Sequence, residues 1–258
     1  MQPSLPPTTM SLHRCSRLGT RLFTTSSSAR TSSVHRGTAF EERSLGLLQE
    51  HLSMSLRRVG GKSDGGIDLM GWWWLPPNDT NSATKTIPAS RRRLRVLAQC
   101  KAEKKKMGPN FVREMEGVLH RYISLSAHTP TTLPSFSSNQ FPLVALLISE
   151  SAFTKSTILR AQSSPVPFFL LHLPPVSPDE QGWIGAAVWN PALAGTRGLL
   201  GGEMEARWER SLTGDGRPGL WWRNQKLRSW TPDSSTEIEH WDLGTEDDFI
   251  EDFARDAL

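Results

Sequence analysis

The sequence predicts an α/β fold in which helices flank a mixed β-sheet. Two short segments are continuously apolar, "PLVALLIS" and "VPFFLLHL", as expected of strands that are buried on both faces. Between them lies a helix-forming segment, "AFTKSTILRAQSS", and a strand–helix–strand order predicts a parallel crossover. Two earlier segments alternate between apolar and polar residues, "GIDLM" and "RVLAQCKA", and they add two more strands.

The first predicted element is an amphipathic helix over residues 40–56, where apolar residues recur at near-helical spacing. Gly60 and Gly61 are expected to end it, because glycine disfavours the helix. The sequence pattern also permits a short strand around Val59, before "GIDLM" begins.

A polar, proline-bearing insertion over residues 76–93 separates the two alternating strands. A second helix is predicted in "GPNFVREMEGVLHRYISL", with Pro109 in its first turn. A loop rich in Pro, Thr and Ser over residues 128–140 then leads to the apolar strands. The predicted order is therefore α-β-β-β-α-β-α-β.

The C-terminal part of the chain has a different composition. Residues 177–232 are rich in tryptophan and turn-forming residues, which predicts a small β extension of the same domain. Residues 233–258 hold ten acidic residues against one arginine, a net charge of −9. We expect them to form a disordered acidic tail.

The first forty residues have the composition of a mitochondrial transit peptide, with no acidic residue, five arginines and eight serines. Residues 1–35 are therefore predicted to be removed on import into the mitochondrion. The folded domain is expected to start at Arg36 and to extend to residue 176. A disordered basic arm is the alternative interpretation of this segment.

Bulk composition argues against several classes of protein. Cys15 and Cys100 are the only cysteines, so the sequence has no disulfide framework and cannot build a zinc site from cysteines. The longest apolar runs, residues 141–148 and 166–173, are well short of the ~20 residues that a membrane helix requires. No membrane partner is expected.

Charge is unevenly distributed along the chain. The net charge is +4 overall, and without the acidic tail it is +13. Such a field favours a polyanionic partner, although a solvated basic surface is the alternative. The basic residues cluster at Arg91, Arg92, Arg93 and Arg95, and at Lys101, Lys104, Lys105 and Lys106.

Asp68 is an unusual residue for the predicted strand "GIDLM". Aspartate is depleted in strands, and an interior carboxylate is costly unless it is paired or bound to a cation. In the next strand Gln99 and Lys101 share one face, while Cys100 lies on the other. If the two strands are neighbours, Asp68, the Gln99 oxygen and the Lys101 ammonium converge at one end of the sheet. Glu41 on the first helix could reach the same place.

These side chains are suited to the cleavage of a phosphodiester. Asp68, the Gln99 oxygen, a backbone carbonyl and waters would suit Mg²⁺ (or Mn²⁺), since Mg²⁺ keeps part of its hydration shell. Such a metal activates a bound water and offsets charge on a scissile phosphate. A neighbouring lysine orients or deprotonates the attacking water. The residues therefore predict a metal-dependent phosphodiesterase.

The same residues carry a family resemblance. The sequence resembles the Mrr-like branch of the PD-(D/E)xK restriction-endonuclease fold in the segments "FEE", "GGKSDGGIDL" and "QCKAE". Over roughly residues 38–230 the sequence also resembles a fungal mitochondrial family. That family is named as required for respiratory growth (protein seven of that series). The segments that carry this second resemblance are "QCKAEKKKMGPNFVREMEGVL", "FTKSTILRAQSSPVPFFLLHLP", "GAAVWNPAL" and "ARWER".

The resemblance implies a restriction-endonuclease-like domain over residues 36–176, in a protein of the mitochondrial matrix that maintains the respiratory genome. The implied partner is DNA, double-stranded or branched. Its backbone phosphates are expected to contact the lysine cluster Lys104, Lys105 and Lys106. By motif position the implied site residues are Glu41 (helix carboxylate), Asp68 (metal ligand), Gln99 (second motif position and metal ligand) and Lys101 (motif lysine).

Gln99 stands where the wider fold more often has Glu or Asp, although the Mrr-like branch shows the same exchange. The loss of one negative charge weakens the expected affinity for a metal. The resemblance therefore leaves two functions open: a Mg²⁺-dependent nuclease, or a non-catalytic genome-maintenance or assembly factor that retains the nuclease fold.

Overall fold

The computed structural model describes residues 33–59, 66–76, 91–128, 141–175, 185–210 and 216–232, all within one compact unit that spans residues 32–258. The predicted acidic tail and all but the end of the predicted transit peptide lie outside the described residues. Most of the loops expected over residues 76–93 and 128–140 also lie outside them.

The described residues form helices and strands in the predicted alternation. The helices are α1 (Ser33–Leu52), α2 (Asn110–His128), α3 (Lys155–Gln162) and the single-turn α4 (Pro191–Ala194). The strands are β1 (Met54–Arg58), β2 (Leu69–Leu75), β3 (Arg92–Lys101), β4 (Leu143–Ser149), β5 (Phe168–His172), β6 (Ala186–Trp189), β7 (Met204–Arg210), β8 (Gly216–Trp222) and β9 (Gln225–Lys226). From α1 to β5 the order is the predicted α-β-β-β-α-β-α-β.

Strands β1 to β6 form one six-stranded sheet in chain order. The pairs β1–β2 and β2–β3 are antiparallel, β3–β4 and β4–β5 are parallel, and β6 returns antiparallel to β5. Helices α2 and α3 supply the two crossovers between the parallel strands, as that connection requires. The prediction of a mixed α/β sheet flanked by helices is confirmed.

The first helix ends earlier than predicted. It ends at Leu52 because Ser53 has a φ of 57°, a left-handed conformation that does not continue a helix. Residues Met54–Arg58 instead pair with β2 as strand β1. The sequence pattern was ambiguous here, since Leu52 and Leu56 are four residues apart, a spacing that fits one face of a helix or of a strand.

Strand β2 contains the three consecutive tryptophans, and Asp68 immediately precedes it. All seven residues of Leu69–Leu75 are buried, which explains the continuous apolar run. The indole Nε1 of Trp74 donates to Ser55 Oγ at 2.7 Å, and Trp73 is fully buried. The prediction that Asp68 lies inside the strand is wrong by one residue.

Two apolar clusters cover the two faces of the sheet. The α1 cluster contains Leu48, Trp73 and Val96, and the α2–α3 cluster contains Leu97 and Met115. Successive residues of β3 alternate between the two clusters, as the pleat of a strand requires. The polar residues at the end of β3 are therefore held between two packed layers.

Residues 185–232 divide between two sheets. Strand β6 is the edge strand of the main sheet, so this part of the expected extension belongs to the main sheet. Strands β7 to β9 form a separate three-stranded antiparallel sheet. Its buried residues Met204 and Leu220 belong to the α1 cluster, so the second sheet shares the core with α1. In the part of the chain that the structure describes, no helix is long and apolar enough to cross a membrane.

Candidate functional site

Asp68 is tied to β3 by two hydrogen bonds. Its backbone N–H donates to the carbonyl of Ala98 at 2.9 Å, and its carboxylate Oδ2 accepts from the backbone N–H of Cys100 at 2.5 Å. These two bonds lie on either side of Gln99. The carboxylate of Asp68, the residue just before β2, thus accepts a bond that a strand carbonyl would otherwise accept, and the Cys100 amide is one partner of this half-buried charge.

Gln99 is 5% exposed and its amide group lies beside Gly66. A Cβ atom at Gly66 would be 3.0 Å from Gln99 Nε2, and the φ of Gly66 is 89°, so both space and backbone favour glycine. The Oε1 atom of Gln99 is buried and accepts no hydrogen bond from any described residue. An unsatisfied buried acceptor costs about 1–3 kcal/mol, which a donor or a cation would offset.

Lys101 is the last residue of β3, two residues beyond Gln99. Its Nζ atom lies 5.3 Å from the centroid of the Phe111 ring, at the start of α2. In the parallel register it pairs with Ser149, the last residue of β4. Lys101 therefore lies at the carboxyl ends of the parallel strands, where ligand sites of open α/β sheets commonly form.

Glu41 approaches the same region from α1. Its Oε2 accepts from Arg58 Nε at 2.7 Å, which makes it part of an ion pair. Burial raises the pKa of the Cys100 thiol well above its ordinary value, and the negative charges of Asp68 and then Glu41 raise this pKa further, whereas Lys101 opposes the shift. The charges of Asp68 and Glu41 therefore both disfavour ionisation of the Cys100 thiol.

The oxygen atoms near the end of β3 fit a hard divalent cation held by few protein ligands. Asp68 supplies a carboxylate and Gln99 supplies the buried amide oxygen. A carboxylate has about four acceptor positions, of which the bond from Cys100 uses one. Within the described ranges, no group of three or more His, Cys, Asp or Glu could hold a metal. A cation held here would need most of its ligands from water, which is compatible with Mg²⁺ and incompatible with a structural zinc.

The lysine cluster Lys104, Lys105 and Lys106 is exposed in the connection between β3 and α2. It follows Lys101 within five residues, so it extends the positive charge of the site towards solvent. Because lysine side chains are long and flexible, an exposed cluster of this kind suits contacts with phosphates rather than fixed packing.

The arginine cluster has a different environment from the one its sequence suggested. The Arg93 guanidinium lies 4.2 Å from the centroid of the Trp72 ring and 4.1 Å from that of Phe141. Arg95 is 4% exposed and lies 4.8 Å from the same Trp72 ring. The other contacts are Arg91 with the Trp230 ring and Arg92 with the carbonyl of Leu199. Each of these four arginines contacts an aromatic ring or a backbone carbonyl.

A surface cavity of about 410 Å³ lies beside Gln99 and was not predicted. Gly66 and Gln99 line one side of it, and one face of α2 lines the other. The spacing of the α2 residues is helical, and a glycine inside this amphipathic helix was the signal that could have revealed the cavity. The α2 residues are Glu114, Met115, Gly117, Val118 and Arg121.

A second polar group at the strand ends also went unpredicted. The Glu150 carboxylate, 14% exposed, follows β4 and pairs with Arg36 of α1. Arg43 of α1 donates to the carbonyl of Pro174 at 2.7 Å, and burial lowers its pKa while the charge of Glu150 raises it. These residues come from separate elements, so no local spacing in the sequence connects them.

Fold and site together define a class: an α/β protein with a mixed sheet that gathers Asp68, Gln99 and Lys101 at the end of its third strand. More specifically, the chain belongs to the family described as Required for respiratory growth protein 7, whose family model matches residues 32–194. The predicted membership of this family is confirmed. No solved structure matches the chain.

Two relatives are similar over part of the chain. A Schizosaccharomyces pombe protein, described as an uncharacterized mitochondrial protein, is 34% identical over 116 residues, which are 45% of this chain and 42% of the relative. The Saccharomyces cerevisiae protein named Required for respiratory growth protein 7, mitochondrial, is 29% identical over 171 residues, 55% of this chain and 66% of the relative. The chain thus spans less than two thirds of either relative, and both relatives are named mitochondrial.

Proposed function

We propose that this chain is a DNA-binding protein of restriction-endonuclease-like fold in the mitochondrial matrix, where it acts as a Mg²⁺- or Mn²⁺-dependent phosphodiesterase. Its role would be in maintenance of the mitochondrial genome and hence in respiratory growth. The family membership and the mitochondrial names of the relatives support the location and the role. The fold assignment is supported by the α-β-β-β-α-β order of the first six elements, with Asp68 immediately before β2 and Lys101 at the end of the adjacent β3.

The observation that carries the proposal is the relationship of Asp68 to Gln99. Asp68 bonds to the backbone on both sides of Gln99, and the Gln99 Oε1 atom accepts no hydrogen bond from the described residues. An unsatisfied buried amide oxygen is costly in a protein without ligand. That cost falls if the Gln99 oxygen and the half-buried Asp68 carboxylate share a cation.

Asp68 and Gln99 would hold the cation, which when bound supplies an activated water and neutralises charge on a phosphate. The protein's own residues would do the remaining work. Lys101 places an ammonium at the strand ends, where it offsets phosphate charge and orients the nucleophile. The exposed lysine cluster would bind phosphates that flank the scissile bond.

A non-catalytic genome-maintenance or assembly factor is the second candidate function. Two observations favour it. Glu41, the helix carboxylate of the motif, is already ion-paired with Arg58. Position 99 is a neutral glutamine, so Asp68 supplies the negative charge there without a second carboxylate from β3. In that case the fold and the exposed lysine cluster would serve DNA binding alone.

The deciding experiment is a cleavage assay on plasmid, branched and single-stranded DNA with Mg²⁺, with Mn²⁺ and with EDTA. Asp68→Asn and Lys101→Ala are compared with the matched surface variants Glu103→Gln and Lys155→Ala, both of exposed residues. Loss of metal-dependent cleavage in the first pair alone supports the phosphodiesterase. Tight DNA binding by the wild type without cleavage of any substrate favours the second function.

A further inference from the structure

The cavity between β3 and α2 lies next to the proposed cation site and is not needed for that function. We propose that this cavity binds a single nucleobase of the nucleic acid, so that one unstacked base is held while the backbone lies at Asp68 and Lys101. The inference rests on the proposed function, because it takes nucleic acid as the partner.

The dimensions of the cavity suit such a ligand. Its volume of about 410 Å³ falls in the range of about 300–1,000 Å³ that is usual for small-molecule sites. Two apolar side chains, Met115 and Val118, line it alongside the polar residues Glu114, Arg121 and Gln99. An apolar wall with a few polar groups at one side suits a flat ring that carries polar atoms on its edge.

The buried Gln99 amide argues for the chemistry of the ligand. Its Oε1 atom is an acceptor that no described residue satisfies, so a ligand that contacts it alongside the cation would bring an N–H or O–H donor. A phosphate oxygen cannot supply that donor near neutral pH, whereas each DNA base carries N–H groups on its edge. An amide oxygen has two acceptor positions, so contact with a base is compatible with contact to a cation.

Glycine at position 117 is the independent observation. Gly117 lies inside α2, where glycine is less favourable than alanine, and a Cβ atom built there would meet nothing within 4 Å. Packing in the folded chain therefore does not require glycine at this position. The absence of a side chain instead leaves open space over the cavity that Gly117 lines.

Charges at the cavity fit the attached sugar and phosphate. Arg121 follows Gly117 by four residues on the same face of α2, so its guanidinium lies on the cavity side of the helix. It would favour the phosphate of the bound nucleotide. Glu114, three residues before Gly117, lines the same cavity and would disfavour a second phosphate there, which selects the base as the part that enters.

The test uses the full chain and a fluorescent single-stranded oligonucleotide, either intact or with abasic sites. Gly117→Phe fills the cavity and leaves Asp68, Gln99 and Lys101 unchanged, while Gly117→Ala is the matched control. We expect Gly117→Phe to weaken binding of the intact oligonucleotide about tenfold, the loss of roughly one base contact. Gly117→Ala should bind like the wild type, and all three proteins should bind the abasic oligonucleotide equally. Equal affinity of the wild type for intact and abasic strands would overturn the proposal.

A second measurement separates this inference from DNA binding and cleavage. The protein is labelled at its methionine methyl groups, and dAMP is titrated against deoxyribose 5-phosphate as the control. The Met115 methyl resonance should shift with dAMP and stay in place with the sugar phosphate, even if the protein cleaves no DNA. No shift with any of the four deoxynucleoside monophosphates, in a wild type that folds normally, removes the nucleobase site whatever the outcome of the cleavage assay.

Discussion

The carboxylate of Asp68 accepts a hydrogen bond from the backbone N–H of Cys100 at 2.5 Å. This bond joins the residue before β2 to the penultimate residue of β3 through a side chain. It gives Asp68 a structural role that is independent of any metal, because without it the Cys100 amide would need another acceptor. A substitution at Asp68 therefore affects both stability and the proposed chemistry, and the two effects must be measured separately.

Asp68→Asn should abolish metal-dependent cleavage and lower the free energy of unfolding by about 1 kcal/mol. The amide oxygen can still accept from Cys100, but a neutral acceptor forms a weaker bond than a carboxylate. Cleavage rates and urea unfolding, both compared with Glu103→Gln, measure the two effects. Full cleavage activity in a folded Asp68→Asn protein would contradict the assignment of Asp68 as a metal ligand.

Changing Lys104, Lys105 and Lys106 to Ala should flatten the dependence of DNA affinity on salt. Each lysine that contacts a phosphate contributes close to one unit to the slope of log K against log salt, so the slope should decrease by up to about 3. The exposed Lys155→Ala variant should leave the slope unchanged. An identical slope in the triple variant would show that the lysine cluster is only solvated surface.

Arg93→Ala should produce the opposite pattern, with lower stability and an unchanged salt slope. The guanidinium of Arg93 packs on Trp72 and Phe141, and its loss removes these contacts and the side chain that covers the rings. We expect the free energy of unfolding to fall by about 1–2 kcal/mol. Unaltered stability combined with a smaller salt slope would show that Arg93 contacts DNA instead of stabilising the fold.

Cys100 should make stability decrease at alkaline pH. Burial and the charges of Asp68 and Glu41 raise its pKa in the folded protein above the ordinary value of 9.0. Stability from the neutral thiol is then fully present below pH 9 and is lost as the pH rises above it, because only the unfolded chain ionises. In a Cys15→Ser background, urea midpoints from pH 7 to 10 should fall more steeply with Cys100 present than in Cys100→Ala. Parallel curves would mean that the thiol titrates normally.

The alternation of apolar and polar segments was sufficient to predict the sheet. Strands β4 and β5 are apolar up to their last residues because both of their faces are buried, and the helix between them requires their parallel pairing. The boundary between α1 and β1 could not be predicted, since the left-handed conformation of Ser53 depends on tertiary contacts. One such contact is the bond from the Ser53 N–H to Ser229 Oγ, 176 residues away.

The site was predictable where it follows strand alternation and unpredictable where it depends on packing between elements. Alternation was enough to place Gln99 and Lys101 on one face of β3. It could not show that Asp68 bonds to Cys100, or that Arg93 packs against Trp72 and against Phe141, which precedes β4. Such contacts are made by residues that are distant in sequence, and residue type alone does not distinguish them from exposed charges.

Gln99→Glu should place a second carboxylate close to Asp68. Without metal, the introduced carboxylate is buried close to Asp68, where desolvation and repulsion disfavour it. In EDTA the variant should therefore be less stable than the wild type by about 1–3 kcal/mol. With Mg²⁺ the introduced carboxylate becomes a metal ligand. Mg²⁺ should therefore raise the stability of the variant by more than it raises the stability of the wild type. Thermal unfolding with EDTA and with Mg²⁺ measures this difference, and Asp68→Asn combined with Gln99→Glu should lose most of the Mg²⁺ response. A Gln99→Glu protein whose melting temperature is the same in both conditions would exclude a cation shared by Asp68 and position 99.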